Sequence, residues 1–323
     1  MGIIESPKTY TGRDLETIFF RPMLNNENAE RLGIRMMYNM PVPTTIQLWS
    51  PQSDILQDYS SGWTGGNTAQ RKTKTIGMMK VKAEVGFSAS EYAQEIYELI
   101  TGRADVNFDD LTGTELEQAE TEMFRRAIAE SLRVMMWVGN TEAETYNKFD
   151  GFLTLMHRYA ETSNVPTADC STLRVTPDNV LEMFNKMWNS APPQLKALKA
   201  EGNLALFVTS DLYDAYELYL DSMGADGAYT DLLSGRRELS YHGIKIIDMG
   251  ISQYLPLENS TSMTQCLLTD RRNLIMAVNT ADYPGSEVRM WYNPDQMENR
   301  QRAIFMVGCE ILDEELIVRG VFC

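Results

Sequence analysis

Histidine is nearly absent from this chain: two in 323 residues, His157 in LMHRY and His242 in YHGIK. Neither belongs to an H-E-x-x-H pair or to a Ser/His/Asp order, so the common zinc-hydrolase and triad chemistries have no candidate residues. Both histidines read as structural or surface positions. Cysteine is also sparse. Cys170, Cys266, Cys309 and Cys323 form no C-x-x-C pair and lie near neither histidine, the pattern of free thiols in a reducing compartment. There is no G-x-x-x-x-G-K-[ST] and no G-x-G-x-x-G, and no helix start follows Gly65-Gly66, so that pair cradles no phosphate. No apolar run approaches the ~20 residues of a membrane helix, and no secretory signal opens the chain. MGIIES fits the short myristoylation pattern through Gly2 and Ser6, which has meaning only in a eukaryotic cell. Basic residues are outnumbered 29 to 45, giving a formal charge of -16 and a pI near 4.6. That balance excludes a broad basic footprint on nucleic acid. No internal repeat and no low-complexity tract occurs.

What is present is enough apolar material, 43% of residues, for one large core or two smaller ones. Residues 1–40 show no clean period; Ile18–Met23 (IFFRPM) is broken by Pro22 and reads as an extended arm whose Phe19 and Phe20 need a neighbour to cover them. Val42, Thr44, Ile46 and Leu48 alternate as a strand does. Tyr59–Thr75 (YSSGWTGGNTAQRKTKT) then carries Arg71, Lys72 and Lys74 with no acidic residue, an anomaly in so acidic a chain. Beyond it Met79, Val81, Ala83, Val85 and Phe87 alternate with Lys80, Lys82 and Glu84, which predicts a second strand. The Gly-rich basic stretch is therefore expected at the tip of a long two-stranded hairpin, longer than a compact domain usually tolerates.

A short helix is expected over 90–100 and a long one from Thr114, where Thr114 and Glu117 form a capping box. Leu116, Ala119, Met123, Ala127, Val134 and Val138 recur at helical spacing, widened by Phe124, Ile128 and Met135, and Gly139 is a natural stop. About 25 residues would span roughly 37 Å. The second half reads as α/β. A helix opens at Thr176-Pro177, another follows Pro192-Pro193 and closes near Gly202, and Ser210 is expected to cap a third that Gly224 ends. Strands are expected at 204–208, 243–248, 266–270, 274–278, 288–292, 303–307 and 316–318. Asp105, Asn107 and Asp109 begin a calcium-loop pattern, but Asp110 stands where the turn needs Gly and Leu116 where a bidentate Glu belongs. Asp313-Glu314-Glu315 reads as a solvated turn. No catalytic, cofactor-binding or metal residue is assigned, and no cofactor.

The order of these parts resembles the major capsid proteins of tailed bacteriophages, the Hong Kong 97-type fold, over roughly residues 10–321. The resemblance rests on the arm, the long hairpin, the long helix, NKFDGFLTLM at 147–156, ALFVTSDLYDAYELYLDSMG followed by YHGIKIIDMG, CLLTDRRNLIMAV, and the ending RQRAIFMVGCEILDEELIVRGVF. It implies an α+β chain with an N-terminal arm at 1–40 and a peripheral domain at 41–158. That domain holds an extended β-hairpin loop about 49–80 and a spine helix about 114–138. An axial α/β domain follows at 159–275, long strands returning to the peripheral domain at 276–312, and a final axial-domain strand at 313–323.

The function it implies is structural rather than enzymatic: self-assembly into hexamers and pentamers that form an icosahedral capsid around phage or prophage DNA, held without sequence-specific binding. Scaffold and portal proteins are the other partners, no membrane is involved, and the place is the virion capsid, built in the bacterial host cytoplasm. In that family the extended loop lies across a neighbouring subunit. Trp63, Arg71, Lys72, Lys74, Phe19 and Phe20 become the candidate inter-subunit contacts, with Trp63 as the apolar anchor and the cations meeting acidic groups. Two alternatives remain open: an encapsulin-type shell around a cargo enzyme, and an α/β enzyme binding a small molecule at strand ends.

Overall fold

The computed structural model describes residues 8–10, 33–38, 44–49, 61, 71–88, 115–162, 165–223, 239–255, 263–279, 287–296 and 298–322. Three sheets and five α-helices organise these residues. The first sheet contains β1 (Lys8–Tyr10), β2 (Arg35–Tyr38), β5 (Met79–Ser88), β11 (Leu274–Asn279), β12 (Glu287–Asn293) and β13 (Glu298–Ile311). Its path is β1-β12-β13-β11-β2, with β5 on the other edge of β13. The second sheet runs β6 (Thr167–Asp169), β14 (Ile317–Val321), β10 (Cys266–Asp270), β7 (Leu204–Val208), β9 (Ile244–Asp248) and β8 (Ser240–Tyr241). β3 (Thr44–Trp49) and β4 (Arg71–Ile76) pair only with each other among the described strands. The helices are α1 (Glu115–Val138), α2 (Phe152–Thr162), α3 (Val180–Ser190), α4 (Pro193–Ala197) and α5 (Ser210–Ser222).

The continuous apolar runs become strands buried on both faces. In β7, Leu204, Leu206 and Val208 enter one core with α3 and α5, while Ala205 and Phe207 enter another with α1, α2 and the inner face of the first sheet. Trp137, at the end of α1, fills the space between, with ring centroids 5.3 Å from Phe207 and 5.4 Å from Phe152. The chain crosses from second sheet to first through Arg271–Asn273 and returns through Leu312–Leu316. The buried Asn273 ties the crossings together. Its side-chain amide donates to the Asp313 carbonyl at 2.9 Å and accepts from the Asp313 N–H at 2.8 Å, and the Leu312 N–H donates to its backbone carbonyl at 3.0 Å.

Several sequence expectations change here. The strand that completes the hairpin is Arg71–Ile76, in register Thr44↔Ile76 to Trp49↔Arg71, not Met79–Phe87. Met79–Ser88 pairs antiparallel along β13. The polar segment RKTKTI shows no apolar alternation, and a two-stranded ribbon with an exposed face needs little of it. The buried face of α1 runs through Glu120, Phe124, Ile128, Leu132, Val134 and Val138, which keeps Phe124, Ile128, Val134 and Val138 of the expected stripe, whereas Ala127 is exposed and Met123 is 52% exposed. α1 stops at Val138, but Gly139 is required by close approach rather than by a left-handed φ: a Cβ there would lie 2.4 Å from the Phe149 carbonyl oxygen. The cap position of α5 is Thr209, and Ser210 lies inside the helix, its hydroxyl donating to Asp248 at 3.1 Å. The helix expected at Thr176-Pro177 begins at Val180. The 90–100 helix, the Thr114 cap and the Asp105–Asp110 stretch lie outside the described residues.

His242 is explained by backbone geometry. It and Gly243, with φ of 51° and 78°, form the two-residue connection of the β8–β9 hairpin, the left-handed pair such turns require. His157 is largely buried on α2; burial, with Arg319 nearby, lowers its pKa to about 4 and keeps the ring neutral at pH 7. Cys170, Cys266 and Cys309 are buried free thiols, and burial raises the pKa of each.

Candidate functional site

Among the described strands the hairpin extends no sheet, so its direction depends on how β4 is seated. Ile76 is fully buried and Met78 nearly so, packing with Ile275, Ala277, Met306 and Leu312 on the outer face of β11 and β13. This small core explains the burial of β13, which alternates from Glu298 to Ile304 and then becomes continuous from Phe305 to Ile311. Where the hairpin root covers the outer face, both faces of the strand are dry. The approach is close enough to demand glycine, since a Cβ on Gly308 would lie 2.1 Å from the Gly77 carbonyl oxygen.

Lys74 pins the root from one side. Its ammonium donates to Glu314 Oε2 at 3.1 Å, lies 3.9 Å from Glu310 Oε1, and sits 3.9 Å from the centroid of the Tyr159 ring on α2. The Tyr159 hydroxyl donates to Glu310 Oε1 at 2.6 Å, and the Ile311 N–H donates to the same oxygen at 3.1 Å. Burial opposes the Lys74 charge, but Tyr159, Glu314 and Glu310 outweigh it, and its pKa is raised. Burial pushes Glu310 upward more than Tyr159, Lys74 and the Ile311 N–H pull it down, and Glu314 adds repulsion. Burial, aided by Glu310, moves Tyr159 up to about 12.

Of the six candidate contact residues, only Lys74 has a described side chain, and its ammonium is engaged within its own chain. Trp63, Phe19 and Phe20 lie outside the described residues, as do the side chains of Arg71 and Lys72. Tyr159 and Glu310 were missed. The signal available was the lone acid in AIFMVGCEIL, a carboxylate inside an otherwise apolar strand, which has to find a partner when buried. Glu314, read as solvated, pairs with Lys74, whereas Glu315 is exposed.

Farther along the first sheet no described element covers the outer face. Glu84, Val85, Gly86, Trp291, Glu298, Arg300, Gln301 and Arg302 line a shallow cleft of about 380 Å³. Arg302 pairs with Glu287, and the guanidiniums of Arg289 and Arg302 lie 5.6 and 5.7 Å from the Trp291 ring. The opposite face carries α1, where Gln301 donates to the fully buried Glu120 at 3.5 Å. Among the described residues no cluster of three or more His, Cys, Asp or Glu could hold a metal ion, and no helix is long and apolar enough to cross a membrane.

No family model matches the chain, and no curated protein does. Solved structures do. The chain is similar to one from the satellite phage P4 procapsid with its size-determination protein, at 8% identity over 94% of this chain and 97% of that one, TM-score 0.57. It is similar to a chain of Gordonia phage Cozz at 14% identity over 91% and 86%, TM-score 0.52. A chain of the cyanophage P-SCSP1u capsid gives 11% identity over 90% and 86%, TM-score 0.50. The chain therefore has the α+β capsid-protein fold of the Hong Kong 97 type, as the resemblance in its sequence implied.

Proposed function

We infer that this chain is the structural shell subunit of a tailed phage or prophage, a major capsid protein. It self-assembles into hexamers and pentamers that close as an icosahedral capsid around DNA. The likeness to procapsid and capsid chains over nine-tenths of its length carries this reading. An isolated two-stranded hairpin supports it, because such a ribbon is marginal alone and gains from a surface to lie on. In this reading Trp63, Arg71 and Lys72 dock the hairpin tip on a neighbour, and Phe19 and Phe20 of the arm are covered by one. The domain division at 40, 158, 275 and 312 belongs to the same proposal. So do scaffold and portal partners, a virion location, assembly in the bacterial cytoplasm, and the lack of catalysis.

The test is negative-stain microscopy of the purified chain at high concentration with a crowding agent and, in parallel, co-expression with a scaffold. Rings of five or six, sheets or closed shells are expected, and Trp63→Ala or joint Arg71→Glu and Lys72→Glu should prevent them while leaving the subunit folded. A chain that stays monomeric in both settings and is stabilised by a nucleotide or metal overturns the reading in favour of an enzyme. Shells that purify with a protein cargo instead of DNA would indicate a nanocompartment.

A further inference from the structure

We propose that the outer edge of β5 pairs antiparallel with the same edge of a second copy of this chain, about a two-fold axis at Ala83, so that the first sheet continues across an isologous dimer. Three observations carry this. β13 is the one described strand that pairs with β5, which leaves the other edge of a ten-residue strand, roughly 34 Å long, without a described partner. That edge has none of the usual structural guards: no proline, no bulge in an unbroken register from Met79↔Val307 to Ser88↔Glu298, and no charge pointing inward. Its inward side chains are incompletely covered. Val81 is buried in the core under α1, but Ala83 and Val85, which pack against the same core, are only half-buried.

The charges choose the partner and the register. Lys80, Lys82 and Glu84 stand on the outer face, with 57% of the Lys82 side chain and 49% of the Glu84 side chain exposed. Lysines on an edge repel a strand that offers no acid. A neighbour's β3–β4 ribbon, TTIQLW and RKTKTI, offers none, whereas a second β5 brings Glu84. Apolar side chains stay on the side of α1 only when the axis falls on a residue, because a one-residue slip sends them to the other face. An axis at Val81 sets Lys80 against Lys82, one at Lys82 sets that lysine against its copy, and one at Glu84 brings two carboxylates together. The axis at Ala83 alone sets opposite charges against each other with no like pair. Lys82 then faces Glu84 twice, Lys80 faces Gly86, and Val81 faces Val85 on the dry side, where such cross-strand pairs stabilise a sheet. The pairing does not need the shell reading: dimers that build no rings leave it standing, and rings built by a chain without this dimer overturn it alone.

Sedimentation velocity of the full chain across the micromolar range tests it. A species of twice the 36.7 kDa mass is expected. Lys82→Glu, which sets two carboxylates together on both sides of the axis, should weaken that dimer about tenfold, and so should Glu84→Lys. The double swap, Lys82→Glu with Glu84→Lys, should restore it, which a merely damaged strand would not do. Cysteine substitution reads the register directly, with the unmodified chain run alongside. Under mild oxidation Ala83→Cys should give a covalent dimer, because only the residue on the axis meets its own copy. Lys82→Cys or Glu84→Cys alone should give little, and a mixture of the two should cross-link. A chain that stays monomeric throughout the range, a dimer that Lys82→Glu leaves unchanged, a double swap without recovery, or equal cross-linking at 82, 83 and 84 overturns the proposal.

Discussion

The second sheet and the first are built from strands of opposite character. β7 and β10 are buried at every position, with helices on one side and the shared core on the other. β5, β12 and the first half of β13 alternate, burying one face under α1 and presenting Lys82, Glu84, Arg289 and Arg300 on the other. The central strands of the second sheet are dry on both faces. The first leaves a charged face, and among the described residues only the hairpin root covers part of it. A chain whose two sheets differ this way has one half with a fully dry centre and one half with a charged described face. The physical difference is whether a strand's second face has an element of the same chain to dry it.

The comparison can be broken most forcefully at its shared core. Phe207→Ala should cost about 3–5 kcal/mol, because the ring is fully buried against Trp137 and its loss leaves a cavity between both sheets. Urea unfolding should show one transition moving to lower denaturant; a shift below about 1 kcal/mol would mean the halves do not depend on this contact. Gly308→Ala should cost about 1–3 kcal/mol, since its methyl group would meet the Gly77 carbonyl. Here the damage should be local: faster exchange in β3 and β4, with β7 and β10 unchanged.

His157 sharpens the comparison through pH. Its folded pKa of about 4 lies below the ordinary 6.5, so the unfolded chain takes up this proton first, and stability is lost as pH falls from 6.5 toward 4. His157→Gln should flatten that part of the stability profile measured by thermal unfolding. The smallest effect is expected on the open face. Arg302→Ala removes a partly exposed ion pair with Glu287 and should change stability by no more than about 0.5 kcal/mol. If that face serves assembly, the same variant should still reduce the yield of rings or shells in the microscope.

Much of this arrangement was readable in the linear pattern. LALFV and CLLTD announce strands with two dry faces, MKVKAEVGF announces one dry face, and the 24-residue α1 follows from helical spacing over that length. The α+β class follows from their order. The identity of the hairpin's second strand did not, because RKTKTI carries no apolar alternation, and only the buried seat of Ile76 marks where it joins the body. In α1 the expected Phe124, Ile128, Val134 and Val138 are buried while Met123 and Ala127 are exposed, and the buried Glu120, an acid that accepts from Gln301 of a distant strand, was not legible as part of that face.

By itself, then, the sequence determined the elements, their order and which strands would be dry on both faces, since those depend on residues two to four positions apart. Tertiary structure alone decided that Lys74 meets Glu314 across 240 residues, and that Tyr159 meets Glu310 across 151. It also decided that Gly308 lies beneath the Gly77 carbonyl. Local spacing sets backbone conformation. Which charge faces which depends on how the chain crosses between sheets, and no short-range pattern encodes that.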